Sequence, residues 1–218
     1  MTEIFASVIN YFHQLPWLEL IAMLLSLAYV ILAAKGSLWC WPAAFISTAL
    51  YTFIFYDVLL LMDSALNAYY LLMAVYGYWQ WSKKTDSDLT TNLKSATQLS
   101  IVSWDFTWHI KACSALAIIA IILGYLMATY TPASFPYLDT FTTVYAVFAT
   151  YLVAKKVLEN WLYWIVIDLL SIYLYIEKGL IPTTVLFIIF VGVAAYGYSK
   201  WLKLYKNNAL DLLPSTSG

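Results

Sequence analysis

The chain has 218 residues, of which 63% are hydrophobic and 11% charged, against roughly 25% charged in soluble domains, so it cannot tile a water-facing surface and belongs in lipid. A formal net charge of -1, with no basic patch interleaved among aromatics, gives no place to nucleic acid.

Residues 1–15 carry no Lys or Arg, which excludes a charged secretory leader, and they predict a short N-terminal interfacial segment. Apolar stretches long enough to cross a bilayer then recur at 18–34, 38–56 and 59–79. The polar residues 80–111 follow, with KKTDSD, TTNLK and the aromatic-rich SWDFTWH, and read as a cytoplasmic loop ending in an interfacial helix. Further spans are expected at 112–130, 138–154, 160–176 and 181–199. Several tryptophans at span ends, Trp79, Trp81, Trp104, Trp108 and Trp201, read as anchors in the headgroup layer. Cys40 and Cys113 have no metal or redox spacing and read as small apolar fillers.

All eleven basic residues are lysines, and seven spans put ten of them on one face and Lys178 alone on the other. That partition predicts the N-terminus outside and the C-terminus in the cytoplasm of an inner-membrane protein. An offset of 120 residues aligns Pro16-Trp17-Leu18-Glu19 with Pro136-Tyr137-Leu138-Asp139, and Ala34-Lys35 with Ala154-Lys155. In the same register lie Trp41 and Trp161, Asp57 and Glu177, Tyr76-Gly77-Tyr78 and Tyr196-Gly197-Tyr198, Trp81 and Trp201. The expected fold is therefore all-α and integral to the membrane: seven transmembrane helices in a SWEET-like 3+1+3 plan of parallel three-helix repeats. Its parts are repeats at 16–84 and 136–206, a loop at 85–111, a connector at 112–135 and a tail at 207–218. Such a plan suits a carrier that binds its substrate near the midplane, between the halves.

Asp63 and Asp168 are carboxylates inside spans, where each costs about 2.5–3.5 kcal/mol, and residues of this kind face a bundle interior or a cavity. Asp63 and Asn67 share a helix face with Tyr70, while Asn160, Trp164, Asp168, Ser171 and Tyr175 form one stripe. Ser47, Thr48 and Ser171 fit helix packing as well as binding, and Tyr-Gly-Tyr fits packing around a small residue. Tryptophans beside carboxylates suit a flat, cationic, water-soluble ring compound. There is no GxxxxGKS/T phosphate loop, and His13 and His109 fall outside the spans, so neither ATP hydrolysis nor zinc chemistry is expected and no cofactor is called for.

The segment Glu159–Asp168, ENWLYWIVID, resembles the ENWLxWxxxN signature of the PnuC family of vitamin transporters. Tyr76–Trp81, YGYWQW, resembles that family's YGWYxW, and Asp63–Asn67 its ADxxLQ stretch. The resemblance implies a non-enzymatic uniporter whose vitamin cargo is trapped inside by a cytoplasmic kinase, with a homo-oligomer possible. Substrate-binding positions are then Trp41, Asp63, Asn67, Asn160, Trp161, Trp164, Asp168 and Ser171. Two departures bear on the cargo: Asn67 stands where nicotinamide riboside members have Gln, and Asp168 where they have Asn. Losing an amide and gaining a carboxylate favours thiamine, with nicotinamide riboside the alternative. Sugar or nucleoside facilitation, and a scaffold without transport, are the remaining readings.

Overall fold

Each of the seven expected spans is a helix in the computed structural model, which describes residues 17–57, 61–83, 101–132, 134–179 and 181–211. The N-terminal interfacial segment, most of the 80–111 loop and the end of the tail lie outside the described residues. The helices are α1 (Trp17–Ala34), α2 (Cys40–Asp57), α3 (Leu61–Ser82), α4 (Phe106–Tyr130), α5 (Pro136–Ala154), α6 (Asn160–Glu177) and α7 (Ile181–Asp211). Among the described residues the only β pairing is a bridge between Val102 and Val157.

Trp17–Ala34, Phe106–Tyr130 and Thr183–Asn208 are long and apolar enough to cross a membrane. The other helices are diluted by polar residues turned inward, such as Asn67 on α3 and Asp168 and Ser171 on α6. Outward, Leu72, Val75, Ile118, Ile121, Leu169 and Ile188 are exposed, a girdle that lipid rather than water satisfies.

Two boundaries differ from the sequence expectation. Asp105 accepts a hydrogen bond from the Thr107 amide at 3.1 Å, an N-cap that starts α4 at Phe106. SWDFTWH is therefore its lead-in and first turn, not a separate interfacial helix. At the other end α7 continues to Asp211, carrying Lys200, Lys203 and Lys206 beyond the apolar run.

The lead-in to α4 is tied to the second half of the chain. Val102 exchanges backbone bonds with the 156–158 turn (Val102 N–H to Lys156 C=O, 3.1 Å; Leu158 N–H to Val102 C=O, 2.8 Å). Glu159 accepts from the Ser103 hydroxyl and, at 3.3 Å, from the Trp104 amide. His109 lies 3.6 Å from the same carboxylate and shares a 2.9 Å hydrogen bond with Tyr163.

Consecutive helices pack as α1 on α2, α2 on α3, α5 on α6 and α6 on α7. The halves meet where α1 touches α7 and where α3 touches α5, while α4 packs on α5. The two cross-contacts are the same contact, first helix against third, with the halves exchanged. The turns after α1 and α5 also match. Gly36 and Lys156 are both left-handed (φ 70° and 60°) and donate to Ala33 and Val153, each at 2.9 Å. Ser37 and Val157 then close the longer bond of a Schellman turn, to Leu32 and Leu152.

Four tryptophans occupy the core toward the lysine-rich end. Trp41 meets Trp81 edge-on at 5.2 Å, Trp81 meets Trp201 at 6.0 Å, and Trp201 meets Trp161 edge-on at 5.4 Å. Trp81 and Trp201 are only 4% and 0% exposed, so they are not the headgroup anchors that their span-end positions suggested. Each indole N–H instead finds a carbonyl inside the protein: Trp81 donates to Val153 and Ala154, and Trp201 to Ala33, all at 3.2 Å. Trp79, by contrast, is exposed, with the Lys83 ammonium 3.3 Å from its ring centre, as an interfacial position would require.

Candidate functional site

A cavity of about 840 Å³ lies between the halves, within the range of small-molecule sites. Glu19 at the start of α1, Asp139 at the start of α5 and Lys178 after α6 line one end of it. Lys178 and Asp139 form an ion pair there at 3.6 Å. The opposite end is a floor of Ala33, Trp41, Val153, Trp161 and Ala194, all buried.

The floor follows from the glycines of Tyr-Gly-Tyr. A Cβ at Gly77 would sit 2.3 Å from the Trp41 ring, and one at Gly197 would sit 2.7 Å from the Trp161 ring. Only glycine lets each indole lie flat against the third helix of its own half. The motif is thus packing around a small residue, and its effect is to seat the two floor tryptophans.

The walls differ between halves. On one side stand Thr48 and Tyr51 of α2 with Asn67 and Tyr70 of α3. On the other, Tyr175, Phe187 and Phe190 form an aromatic run, with ring centres 5.0 and 5.6 Å apart in sequence. Asn67 and Phe187, like Thr48 and Asp168, are counterparts at the 120-residue offset, and all four line the cavity. The frame repeats, and its polar decoration does not.

Of the positions expected from sequence, Trp41, Asn67, Trp161, Trp164, Asp168 and Ser171 line this one cavity. Asp63 falls in the first turn of α3, but its side chain lies outside the described residues. Asn160 is elsewhere: fully buried at the start of α6, it donates to the Val157 carbonyl at 2.6 Å and closes the turn before the helix. Ser47 is also committed to packing, its hydroxyl bonded to Ala22 of α1 at 2.8 Å.

Asp168 is the least compensated polar group of the cavity. It is 4% exposed, it lines the cavity, and no hydrogen bond or ion pair joins it to another described residue. A carboxylate so placed is costly unless a partner supplies a proton or a positive charge. Lys178 is the lysine that lines the cavity, and it is held at the other end by Asp139.

Sequence reasoning missed Tyr29, Thr150 and Phe190, which also line the cavity. Tyr29 packs 6.1 Å from Trp41, and the Thr150 hydroxyl donates to the Ala146 carbonyl of its own helix. An aromatic or a threonine inside an apolar run gives no sign of which helix face it occupies. The 120-residue register offered a partial signal, because Thr150 falls opposite Val30, itself a lining residue.

Residues 16–203 match the family described as nicotinamide mononucleotide transporter. The chain is 26% identical to the riboflavin/roseoflavin transporter RibM of Streptomyces davaonensis over 192 residues, 87% of this chain and 86% of that one. It is 21% identical to the nicotinamide riboside transporter PnuC of Escherichia coli over 207 residues, 87% of each chain. Its fold is similar to the crystal structure of the vitamin B3 transporter PnuC, with a TM-score of 0.72 at 21% identity, covering 92% of this chain and 87% of that one.

Proposed function

Because the chain belongs to the nicotinamide mononucleotide transporter family, which includes the PnuC proteins, we propose that it carries a cationic B vitamin across the membrane, thiamine ahead of nicotinamide riboside. The observation that carries this reading is Asp168, a buried carboxylate without a partner among the described residues, lining a cavity that Trp164 and Trp161 also line. A cationic ring supplies the missing charge and stacks on the indoles, where cation–π attraction reaches about 2 kcal/mol once desolvated. Asn67, Ser171 and Trp41 line the same cavity and would meet the polar edge and the base of the ring. Asp63 is kept as a contributor from α3.

The absence of a phosphate-loop motif from the sequence favours facilitated diffusion, with phosphorylation by a cytoplasmic kinase trapping the cargo. The lysine partition supports an inner-membrane protein with its N-terminus outside and its C-terminus in the cytoplasm. The repeated first-against-third helix contact supports a 3+1+3 plan of parallel repeats, joined by α4 and related by a pseudo-two-fold axis.

The test is direct binding of thiamine, nicotinamide riboside and riboflavin to the purified protein and to Asp168→Asn. Unit charges about 4 Å apart at an effective dielectric of 20 attract by about 4 kcal/mol. Losing that attraction in full would weaken binding about 1,000-fold; the amide keeps an acceptor and avoids the cost of desolvating a carboxylate, which brings the expected weakening for the cation to roughly 10–100-fold. Unchanged affinity removes Asp168 from the site. Binding of riboflavin alone overturns the cationic reading in favour of the cargo named for the Streptomyces relative.

A further inference from the structure

The floor of the cavity is the upper layer of a two-layer tryptophan stack. Trp41 and Trp161 line the cavity, while Trp81 and Trp201 pack edge-on against them, farther along α3 and α7 toward the lysine-rich end. All four are buried. The layers are held differently. The Trp41 and Trp161 indole nitrogens have no hydrogen-bond partner among the described residues, so packing alone seats those rings. The other two are pinned, and each is pinned to the opposite half. Trp81 of α3 donates to Val153 of α5, and Trp201 of α7 donates to Ala33 of α1. At the 120-residue offset these are one bond made twice, with donor and acceptor exchanged between halves.

We propose that Trp41, Trp81, Trp201 and Trp161 form the gate that seals the cavity from the lysine-rich face, and that the exchanged indole hydrogen bonds of Trp81 and Trp201 are its latch. The inference rests on the carrier reading, since a gate serves a protein whose halves move. A rotation that parts α1 from α7 and α3 from α5 at this end breaks both bonds and separates Trp81 from Trp201. Replacing either tryptophan by phenylalanine keeps a six-membered ring in the stack and removes the donor together with the five-membered part of the indole.

Cys40 reports on this gate. It is fully buried in the same cluster, immediately before Trp41, and the chain's other cysteine is Cys113. In a Cys113→Ser background, purified protein is treated with N-ethylmaleimide and Cys40 alkylation is followed by mass spectrometry; no vitamin is needed, so the result is independent of what the cavity binds. Trp81→Phe and Trp201→Phe should each speed labelling about fivefold, the worth of one net hydrogen bond, and the double variant more than either. Trp79→Phe, at an exposed ring, should leave it unchanged. Labelling as slow in the double variant as in its parent overturns the proposal. So does an equal acceleration at Cys113 in a Cys40→Ser background, which would mean general loosening. In the unaltered chain, the Trp81 and Trp201 indole protons should exchange with deuterium far more slowly than that of Trp79; equal rates refute the latch even if the variants do not fold.

Discussion

Replacing Gly77 by alanine tests whether the cavity floor is set by close packing. The added Cβ would lie 2.3 Å from Cη2 and Cζ2 of Trp41 and 2.5 Å from Cε2, all in a rigid ring. Carbon contacts settle at about 3.5–4.0 Å, so the ring must retreat by about 1.2 Å. Trp81 stands edge-on against it at 5.2 Å, and Tyr29 at 6.1 Å. The open direction is the cavity. Overpacking of this kind costs about 1–3 kcal/mol, and the rigidity of the indole puts Gly77→Ala near the upper figure. Gly197→Ala, whose Cβ would be 2.7 Å from Trp161, should cost less. Gly192 is the internal control: a Cβ there meets nothing within 4 Å, so alanine should stabilise by up to about 1 kcal/mol through helix propensity alone. Thermal unfolding in detergent, at about 2–4 °C per kcal/mol for a chain of this size, should rank the variants Gly192→Ala, parent, Gly197→Ala, Gly77→Ala from most to least stable. Ligand affinity should fall with Gly77→Ala as the ring intrudes. Parental melting and parental affinity for Gly77→Ala would refute the reasoning.

Two further outcomes are expected. Glu159→Ala removes the acceptor for the Ser103 hydroxyl and the Trp104 amide, and should cost about 1–2 kcal/mol with faster deuterium exchange at residues 102–104, whereas Glu159→Gln should lose less; unchanged exchange in both would show that the carboxylate does not hold this segment. Burial pushes the Lys156 ammonium down to about 8, against about 10.4 when unfolded, so between those values the folded chain has released a proton that the unfolded chain retains. Stability should therefore rise with pH through that window, and Lys156→Asn, which tolerates the left-handed backbone, should flatten the rise; superimposable pH–melting curves for the two proteins would contradict it.

The seven helices were legible as apolar stretches of recurring length, and the duplication was legible because aromatic and glycine positions recur in one register. Which residues of one helix share a face was legible too: Asp168, Trp164 and Ser171 are spaced to do so, and they share the cavity. The direction in which a face turns was harder. Trp79 and Trp81 sit two residues apart near one helix end, yet one is exposed and the other buried, a difference of rotation that no hydropathy window resolves. Asn160 belonged to the right stripe by spacing, but at the first position of α6 its amide is claimed by the preceding turn. Asp105 signalled the start of α4, and the aromatic residues after it masked that signal by resembling a headgroup layer.

The exchanged indole bonds carry a consequence for how such a chain is assembled. Each half holds both a donor and the matching acceptor: Trp81 and Ala33 in the first, Trp201 and Val153 in the second. A surface that presents both members of a contact is self-complementary, as isologous dimer interfaces are. Two separate copies of one half could close the same pair of bonds around a true two-fold axis. Covalent fusion through α4, which packs on α5 and reaches α6 where His109 meets Tyr163, adds something else. It lets one half place Asp168 in the cavity where the other half places Thr48, an asymmetry that two identical copies could not have.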